Sequence, residues 1–211
     1  ALQEYLEHCF DLAPSSEHRV AVLHVDLDRF KQINDLMGHA AGDEILRHAA
    51  RAMQQQIGAD DLTARVGGDE FVIVLRQAGT DAQVECIANR IIEAVSQPIE
   101  IWGDFVHVGA SVGIAFLMAG ETDPARILSN ADIALYHAKN GGGRRLCCFE
   151  PFMHEDFLMH RQIESGLQEA LHRDEFELLF QPIVDAQTGE TRSCESLLRW
   201  SHPELGTISP A

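Results

Sequence analysis

Acidic residues occur in pairs at two points in the first half of the chain, each pair beside a short apolar run. Asp26 and Asp28 directly follow the run from 20 to 25, and Asp69 and Glu70 follow two glycines. Ligand-binding residues gather at strand ends, where the scaffold holds them but leaves them open to solvent. Two carboxylates brought together repel each other unless a cation sits between them. Oxygen-only ligands of this kind suit Mg²⁺ or Mn²⁺ rather than zinc.

The glycine pair Gly67 and Gly68 stands directly before the second acidic pair. Both glycines can adopt positive φ, and neither has a side chain that keeps a ligand away from the backbone. A divalent ion beside a bare glycine turn is the chemistry of a nucleoside triphosphate, because the ion bridges phosphates and activates an attacking hydroxyl. Each motif alone is also ordinary turn composition. Their joint occurrence, with Lys31 and Asn34 between them, favours the functional interpretation.

The composition restricts the classes of function. The chain has 211 residues, of which 45% are hydrophobic and 23% charged, and its formal net charge is −17. A surface this acidic repels nucleic acid and anionic lipid, so we expect neither as a partner, and a phosphorylated substrate needs a divalent cation to approach. The sequence shows no apolar stretch long enough to span a bilayer and no leader, and this predicts a cytoplasmic location. We expect any membrane anchor of the full-length protein to lie upstream of this sequence. The five cysteines lack CxxC spacing, which predicts reduced thiols without zinc or disulfides.

Hydrophobic periodicity predicts the elements that position these residues. Helices are predicted over 1–13, 40–57, 84–95 and 124–139, and strands over 20–25, 62–66, 71–75, 99–102 and 105–117, with a polar loop between the first strand and the second helix. The strands on either side of Gly67 and Gly68 form a predicted hairpin. After the first helix the order is βαββαββα. This order predicts an α+β fold in which crossover helices cover one side of a mostly antiparallel sheet.

The pattern changes near Glu150 and Pro151, where we predict a domain boundary. The first domain covers 1–150 and the second piece covers 151–211. The second piece contains a long polar helix over 153–173, followed by new strand material at 176–180. A piece of this length is too short to bury a good core of its own. We therefore expect a fragment of a longer protein.

The segments around the acidic pairs resemble the GGDEF diguanylate cyclases. The resemblance rests on DLDRFKQIND at 26–35, on Gly38-His39 with Gly42-Asp43, on RVGGDEF at 65–71, and on ASVGIA at 110–115 and ADIALYHAK at 131–139. It covers about residues 1–149 and implies a palm-like α+β domain related to nucleotidyl cyclases. It also implies an enzyme that condenses two GTP molecules into cyclic di-GMP and pyrophosphate, with two subunits facing each other as a homodimer.

The resemblance assigns expected roles to individual residues. Asp26 and Asp69 would hold the metal together with the backbone carbonyl of Leu27. Asp69 is also the candidate base for the hydroxyl proton, and Glu70 lies beside it. The other implied substrate contacts are Asn34 and Asp43, which would read guanine, Lys31 and Lys139, which would neutralise phosphate charge, and Arg65, Gly67 and Gly68 in the signature turn.

Two positions depart from the family pattern. Many members carry an RxxD site before the signature, where product binds and stops synthesis. Asp61 stands at its Asp position but Gly58 at its Arg position, so we expect weak or no product inhibition through this site. After Lys139 the family has Gly-Arg-Asn-Arg, in which the first Arg reaches the triphosphate. This chain has Gly143 at that position, and Arg144 is the residue that could substitute for it.

The last segment resembles the opening of an EAL phosphodiesterase domain. The matching stretches are FQPIV at 180–184 and ESLLRW at 195–200, with Ser196 in place of the usual Ala. The resemblance implies that Glu195 is a metal ligand and Arg199 a phosphate contact, with Gln181 in the same site, and that this fragment alone does not hydrolyse cyclic di-GMP. Two functions stay open: an active cyclase from a tandem GGDEF-EAL protein, and an inactive GTP-binding module that regulates the attached phosphodiesterase.

Overall fold

The computed structural model describes residues 2–12, 19–117 and 123–208, and the chain divides into two compact units, Ala1–Glu155 and Asp156–Ala211. The elements of the first unit are α1 (Leu2–Leu12), β1 (Ala21–Asp28), α2 (Phe30–Met37), α3 (His39–Gln54), β2 (Leu62–Arg65), β3 (Glu70–Leu75), α4 (Asp81–Val95), β4 (Ile99–Ile101), β5 (Asp104–Val106), β6 (Gly109–Phe116), α5 (Pro124–Asn140) and β7 (Leu146–Cys148). The helix α6 (Phe152–His172) runs from the first unit into the second, which contains β8 (Phe176–Val184), β9 (Thr191–His202) and β10 (Gly206–Ile208).

A five-stranded sheet in the order β2-β3-β1-β6-β7 forms the centre of the first unit. All its pairs are antiparallel except β6 with β7. The strands β4 and β5 form a separate two-stranded ribbon. The sheet therefore confirms the predicted α+β class and the mostly antiparallel pairing. It places β1, with the first acidic pair, between β3 and β6.

Helices cover both faces of this sheet, so the expectation of helices on one side was wrong. On one face Leu23 of β1 belongs to a core that includes Ile45 of α3 and Ile91 of α4. On the other face Val22 packs in a second core with Leu6 of α1 and Ile127 of α5. The physical reason is that β1 has apolar side chains on both faces: Leu23 and its alternate neighbours on the first, and Val22 near the start of the strand on the second.

Three local predictions were also wrong. The residues taken as a polar loop after the first strand contain α2, in which Phe30 is buried and Ile33 packs against the first core. The single strand predicted over 105–117 is divided into β5 and β6. The strand β7 was not predicted, because hydrophobic periodicity cannot be recognised in a segment of three residues.

The second unit contains a three-stranded antiparallel sheet in the order β10-β9-β8. Trp200 is its main buried side chain: its ring lies 5.6 Å from the ring of Phe176, and its indole N–H donates to Glu175 at 2.9 Å. The predicted helix over 153–173 is confirmed by α6. Within the described ranges, no helix combines the length and the hydropathy needed to cross a bilayer.

Candidate active site

The two acidic pairs meet at one end of the central sheet. Asp26 and Asp28 lie within β1 itself, because the strand continues to residue 28 and does not end before them as predicted. Pairing between β1 and β3 places Asp26 opposite Glu70. The backbone N–H of Leu27 donates to the carbonyl of Asp69 at 3.2 Å. Strand register and one loop hydrogen bond therefore bring together residues that are more than 40 positions apart in the sequence.

The carboxylate of Asp26 is buried, with one lysine and two other acidic residues around it. Asp26 is only 6% exposed, and its Oδ2 lies 2.7 Å from Nζ of Lys139 on α5. Burial raises the pKa of Asp26 above its ordinary value; the hydrogen bond and charge of Lys139 act against this rise, and the charges of Asp69 and Glu70 add to it. A buried carboxylate beside two other acidic groups favours a further cation.

The signature turn joins β2 to β3 and confirms the predicted hairpin. Neither Gly67 nor Gly68 has positive φ, because the loop is longer than a two-residue turn. It is closed by the N–H of Val66, which donates to the carbonyl of Glu70 at 3.0 Å. The side chain of Arg65 folds over the loop and donates to the carbonyls of Gly67 at 3.0 Å and Gly68 at 2.8 Å. A Cβ added at Gly68 would have no atom within 4 Å, so this part of the backbone is open to a ligand.

The glycine-rich loop after α5 is hydrogen-bonded to Asp28. The backbone N–H of Arg144 donates to Oδ2 of Asp28 at 3.0 Å and to Oγ of Ser111 at 3.1 Å, and the Ser111 hydroxyl donates to Oδ1 of Asp28 at 2.7 Å. Asp28 therefore contacts the loop, although the sequence pattern grouped it with the metal-binding carboxylates. No sequence signal indicates this network, since its partners are 83 and 116 residues from Asp28.

A cavity of about 540 Å³ lies between the end of β1 and this loop. Its lining combines carboxylates, basic side chains and glycines: Asp26, Asp28, Arg29, Lys139, Gly142, Gly143 and Arg144. Arg29 has a left-handed backbone conformation (φ 61°) and was not predicted as a site residue. Acidic groups beside three basic side chains suit a ligand that carries several phosphates together with a cation.

Two residues predicted to read a base are on neighbouring helices. Oδ1 of Asn34 on α2 is buried and has no hydrogen-bond partner among the described residues. A Cβ at Gly42 would lie 2.1 Å from this oxygen, so α3 needs glycine at this position for Asn34 to fit. Asp43 is exposed on α3, and Lys31 is exposed on α2. Asp43 lines a second cavity of about 480 Å³ with Leu46, Arg47, Ala50, Gln54, Thr63, Arg65 and Phe71.

His24 and Asp132 also stand beside the signature residues, and nothing in the sequence pattern indicates them. Nδ1 of His24 lies 3.4 Å from Oδ1 of Asp132 on α5, and Nε2 lies 3.9 Å from Oε2 of Glu70. The hydrogen bond from His24 is the largest of the influences that lower the pKa of Asp132. His24 of β1 therefore lies between α5 and the hairpin of β2 and β3.

In the second unit, strand pairing places Gln181 directly opposite Glu195. Arg199 follows on the same strand, and its Nη1 donates to the carbonyl of Leu198 at 2.8 Å. Neither unit, within its described residues, contains three or more His, Cys, Asp or Glu side chains grouped as a ready-made metal cluster. A metal in the first unit would therefore have to use fewer side chains and share its coordination with a ligand.

The chain matches two known protein families, one after the other along its length. Residues 1–145 match the family described as diguanylate cyclase, GGDEF domain. The chain belongs to the GGDEF family. The GGDEF domain is followed at 164–211 by a match to the EAL domain. Both resemblances expected from the motifs are thus confirmed.

Relatives of this GGDEF chain act on cyclic di-GMP. It is 37% identical over 209 residues to the bifunctional diguanylate cyclase/cyclic di-GMP phosphodiesterase MucR of Pseudomonas aeruginosa, covering 99% of this chain and 30% of MucR. It is 35% identical over 210 residues to the cyclic di-GMP phosphodiesterase PdeR of Escherichia coli, covering 100% of this chain and 31% of PdeR. The chain thus spans less than a third of each relative.

Solved GGDEF domains share the fold. The GGDEF domain of YfiN (TpbB) from Pseudomonas aeruginosa has 36% identity and a TM-score of 0.67, covering 71% of this chain and 93% of that one. The GGDEF domain of DgcB from Caulobacter crescentus, solved in complex with c-di-GMP, has 26% identity and a TM-score of 0.66, covering 70% and 88%. These likenesses place the chain among the cyclic di-GMP signalling proteins.

Proposed function

We propose that this GGDEF domain is a diguanylate cyclase that condenses two GTP molecules into cyclic di-GMP and pyrophosphate. The observation that carries the proposal is the meeting of Asp26 with the Asp69–Glu70 turn beside a cavity lined by Lys139 and Arg144. The acidic groups can hold a cation, and the basic groups can neutralise a triphosphate. Phosphoryl transfer depends on such positioning and charge neutralisation far more than on covalent chemistry by the protein.

Mg²⁺ or Mn²⁺ would be held by the carboxylates of Asp26 and Asp69 and the backbone carbonyl of Leu27. The donor set fits, because proteins bind Mg²⁺ through one or two carboxylates and leave the remaining positions to substrate phosphates and water. The burial of Asp26 beside the negative charges of Asp69 and Glu70 supports a cation at this place. When bound, the ion neutralises phosphate charge and lowers the pKa of the attacking hydroxyl.

Asn34 and Asp43 would select guanine. The edge of guanine carries N–H donors, which the carboxylate of Asp43 can accept. The buried Oδ1 of Asn34 has no partner among the described residues, and a guanine donor would satisfy it. Adenine offers no equivalent pattern, so a buried acceptor left unpaired would cost about 1–3 kcal/mol of binding free energy.

In the proposed reaction, the 3′-oxygen of one GTP forms a bond to the α-phosphorus of the second, and the bond from that phosphorus to the pyrophosphate oxygen breaks. Asp69, with Glu70 beside it, would accept the hydroxyl proton. Lys31, Lys139 and Arg144 would bind the phosphates and stabilise the charge on the leaving pyrophosphate. The exchange occurs twice to close the ring. One domain binds one GTP, so we propose a homodimer, acting in the cytoplasm where GTP is available.

The likeness to the phosphodiesterase PdeR favours a second candidate. In that case the GGDEF domain binds GTP without converting it and regulates the attached EAL domain. Incubating the full-length protein with GTP and Mg²⁺, followed by mass spectrometry, separates the two. Cyclic di-GMP that disappears in Asp69→Asn supports the cyclase. Bound but unconverted GTP that alters hydrolysis of cyclic di-GMP supports the regulator, and the absence of GTP binding contradicts both.

A further inference from the structure

We propose that Asp28 and Ser111 are positioning residues that fix the glycine-rich loop after α5, so that Arg144 faces the triphosphate cavity. This inference rests on the proposed function and deepens it, because it names the residues that compensate for Gly143 at the expected arginine position. It also gives Asp28 a different role from that of Asp26, although the two carboxylates stand only two positions apart in β1.

The hydrogen bonds at Asp28 use both of its carboxylate oxygens. Oδ1 accepts from the Ser111 hydroxyl at 2.7 Å, and Oδ2 accepts from the Arg144 N–H at 3.0 Å. Ser111 is fully buried in β6, and its Oγ also accepts from the Arg144 N–H at 3.1 Å. One carboxylate oxygen thus binds the loop directly, and the other binds Ser111, which accepts from the same N–H; hydrogen bonds to a charged carboxylate are the stronger ones.

The loop needs such an anchor because of its backbone conformation. Gly142, Gly143 and Arg144 have φ values of 109°, 71° and 51° in succession. Positive φ is easy for glycine but unfavourable for arginine, so surrounding contacts have to hold Arg144 in it. A Cβ at Gly143 would lie 3.2 Å from Oδ1 of Asp28. A side chain at 143 would therefore crowd the carboxylate of Asp28, whereas the Arg144 N–H donates to it.

The side chain of Arg144 passes directly over the start of β6. A Cβ built on Gly109 would lie 2.7 Å from both Cγ and Nε of Arg144, and 2.7 Å from Oδ2 of Asp28. Gly109 is also the strand partner of Asp28. The carboxylate, the bare backbone of Gly109 and the hydroxyl of Ser111 thus form one cradle. This cradle determines where the guanidinium of Arg144 enters the cavity that it lines with Lys139.

Three variants of the protein test this assignment: Asp28→Ala, Asp28→Asn and Ser111→Ala, with Asp26→Asn as the matched control in the same strand. GTP affinity is measured by titration calorimetry over a range of Mg²⁺ concentrations, and the exchange rate of the Arg144 amide proton by NMR. Asp28→Ala should speed amide exchange and weaken GTP binding on the order of tenfold, as expected for the loss of one well-placed charged contact. Adding Arg144→Ala to it should cause little further loss, because both changes remove the same contact.

The asparagine variant separates positioning from metal binding. An amide at position 28 can still accept from the Arg144 N–H and donate to Oγ of Ser111, so Asp28→Asn should recover most of the affinity with an unchanged Mg²⁺ requirement. Asp26→Asn should change that requirement. An Asp28→Asn variant as weak as Asp28→Ala and altered in its Mg²⁺ requirement would overturn the assignment. An unchanged exchange rate of the Arg144 amide proton in Asp28→Ala also overturns the assignment, whether or not GTP binds. A wild-type protein that binds no GTP contradicts the proposed function itself.

Discussion

Gly113 in β6 lies where the backbones of the central sheet and α5 approach each other closely. A Cβ at this position would lie 2.1 Å from the carbonyl oxygen of Ala131 and 2.2 Å from the backbone nitrogen of Leu135. Ordinary contact begins at 3.4 Å, so a Gly113→Ala substitution has to separate helix and strand by about 1.3 Å. Both clashing atoms belong to the backbone, and no side-chain rotation can relieve the overlap.

The expected cost follows from this geometry. Overpacking of a core costs about 1–3 kcal/mol, and a clash with backbone on both sides belongs at the upper end. For a domain of this size, about 3 kcal/mol corresponds to a fall in Tm of roughly 6–12 °C. Because α5 also carries Lys139, whose ammonium group lies 2.7 Å from Asp26, the displaced helix should weaken GTP binding in the molecules that remain folded.

Thermal unfolding followed by circular dichroism measures this effect. Gly68→Ala is the matched control, since its added methyl has no neighbour within 4 Å and its backbone φ is not positive. The control should unfold within about 2 °C of the wild type. A Gly113→Ala protein that unfolds at the wild-type temperature would show that α5 does not pack on β6 as described.

Three further outcomes are expected. Burial is the main cause that raises the pKa of Asp26 above its ordinary 3.8. The stability that the protonated Asp26 contributes is present below that value and is lost as the pH rises through the folded-state pKa. Asp26→Asn should therefore raise the Tm of the metal-free protein at pH 7, and a lower Tm would contradict the unfavourable burial of the carboxylate. The carboxylate of Asp61 accepts from two backbone N–H groups, so Asp61→Ala should cost about 1–2 kcal/mol of stability. Calorimetric titration of the wild type with cyclic di-GMP should find no tight binding. Tight binding that Asp61→Ala abolishes would contradict the expected loss of product inhibition. Burial, with Glu85 nearby, raises the pKa of the half-buried Cys148 to about 12. A thiol reagent at pH 8 should therefore modify the exposed Cys86 and Cys194 before Cys148, and rapid modification of Cys148 would contradict its raised pKa.

The parts of the fold with strong periodicity could be predicted from the sequence. The long amphipathic helices α3, α4 and α5 and the hairpin of β2 and β3 were predicted because their apolar residues repeat over several turns or alternate over whole strands. The helix α2 was missed because half of its eight residues are polar, and of its apolar side chains only Phe30, Ile33 and Met37 pack in the first core. A helix of eight residues is marginal in isolation, so α2 depends on the tertiary burial of these side chains.

Only the residues of the candidate site that belong to sequence motifs could be predicted. Asp26, Asp69 and Glu70 were expected together, and strand register places them at one end of the sheet. The contacts of Asp28 with Ser111 and Arg144 cross three separate elements, so they become visible only in the folded chain. The φ values at the signature turn depend on the length of the loop between the paired strands, so the glycines alone could not predict them.

Synthesis of cyclic di-GMP by the full-length protein is the decisive measurement. The purified protein is incubated with GTP and Mg²⁺, and its products are identified by mass spectrometry beside those of Asp69→Asn. Formation of cyclic di-GMP and pyrophosphate by the wild type, with a loss of at least about a hundredfold in the variant, is the predicted result. Wild-type protein that binds GTP but forms no cyclic di-GMP, or a variant that forms it at the wild-type rate, would contradict the assignment of the Asp26–Asp69 site as a cyclase centre.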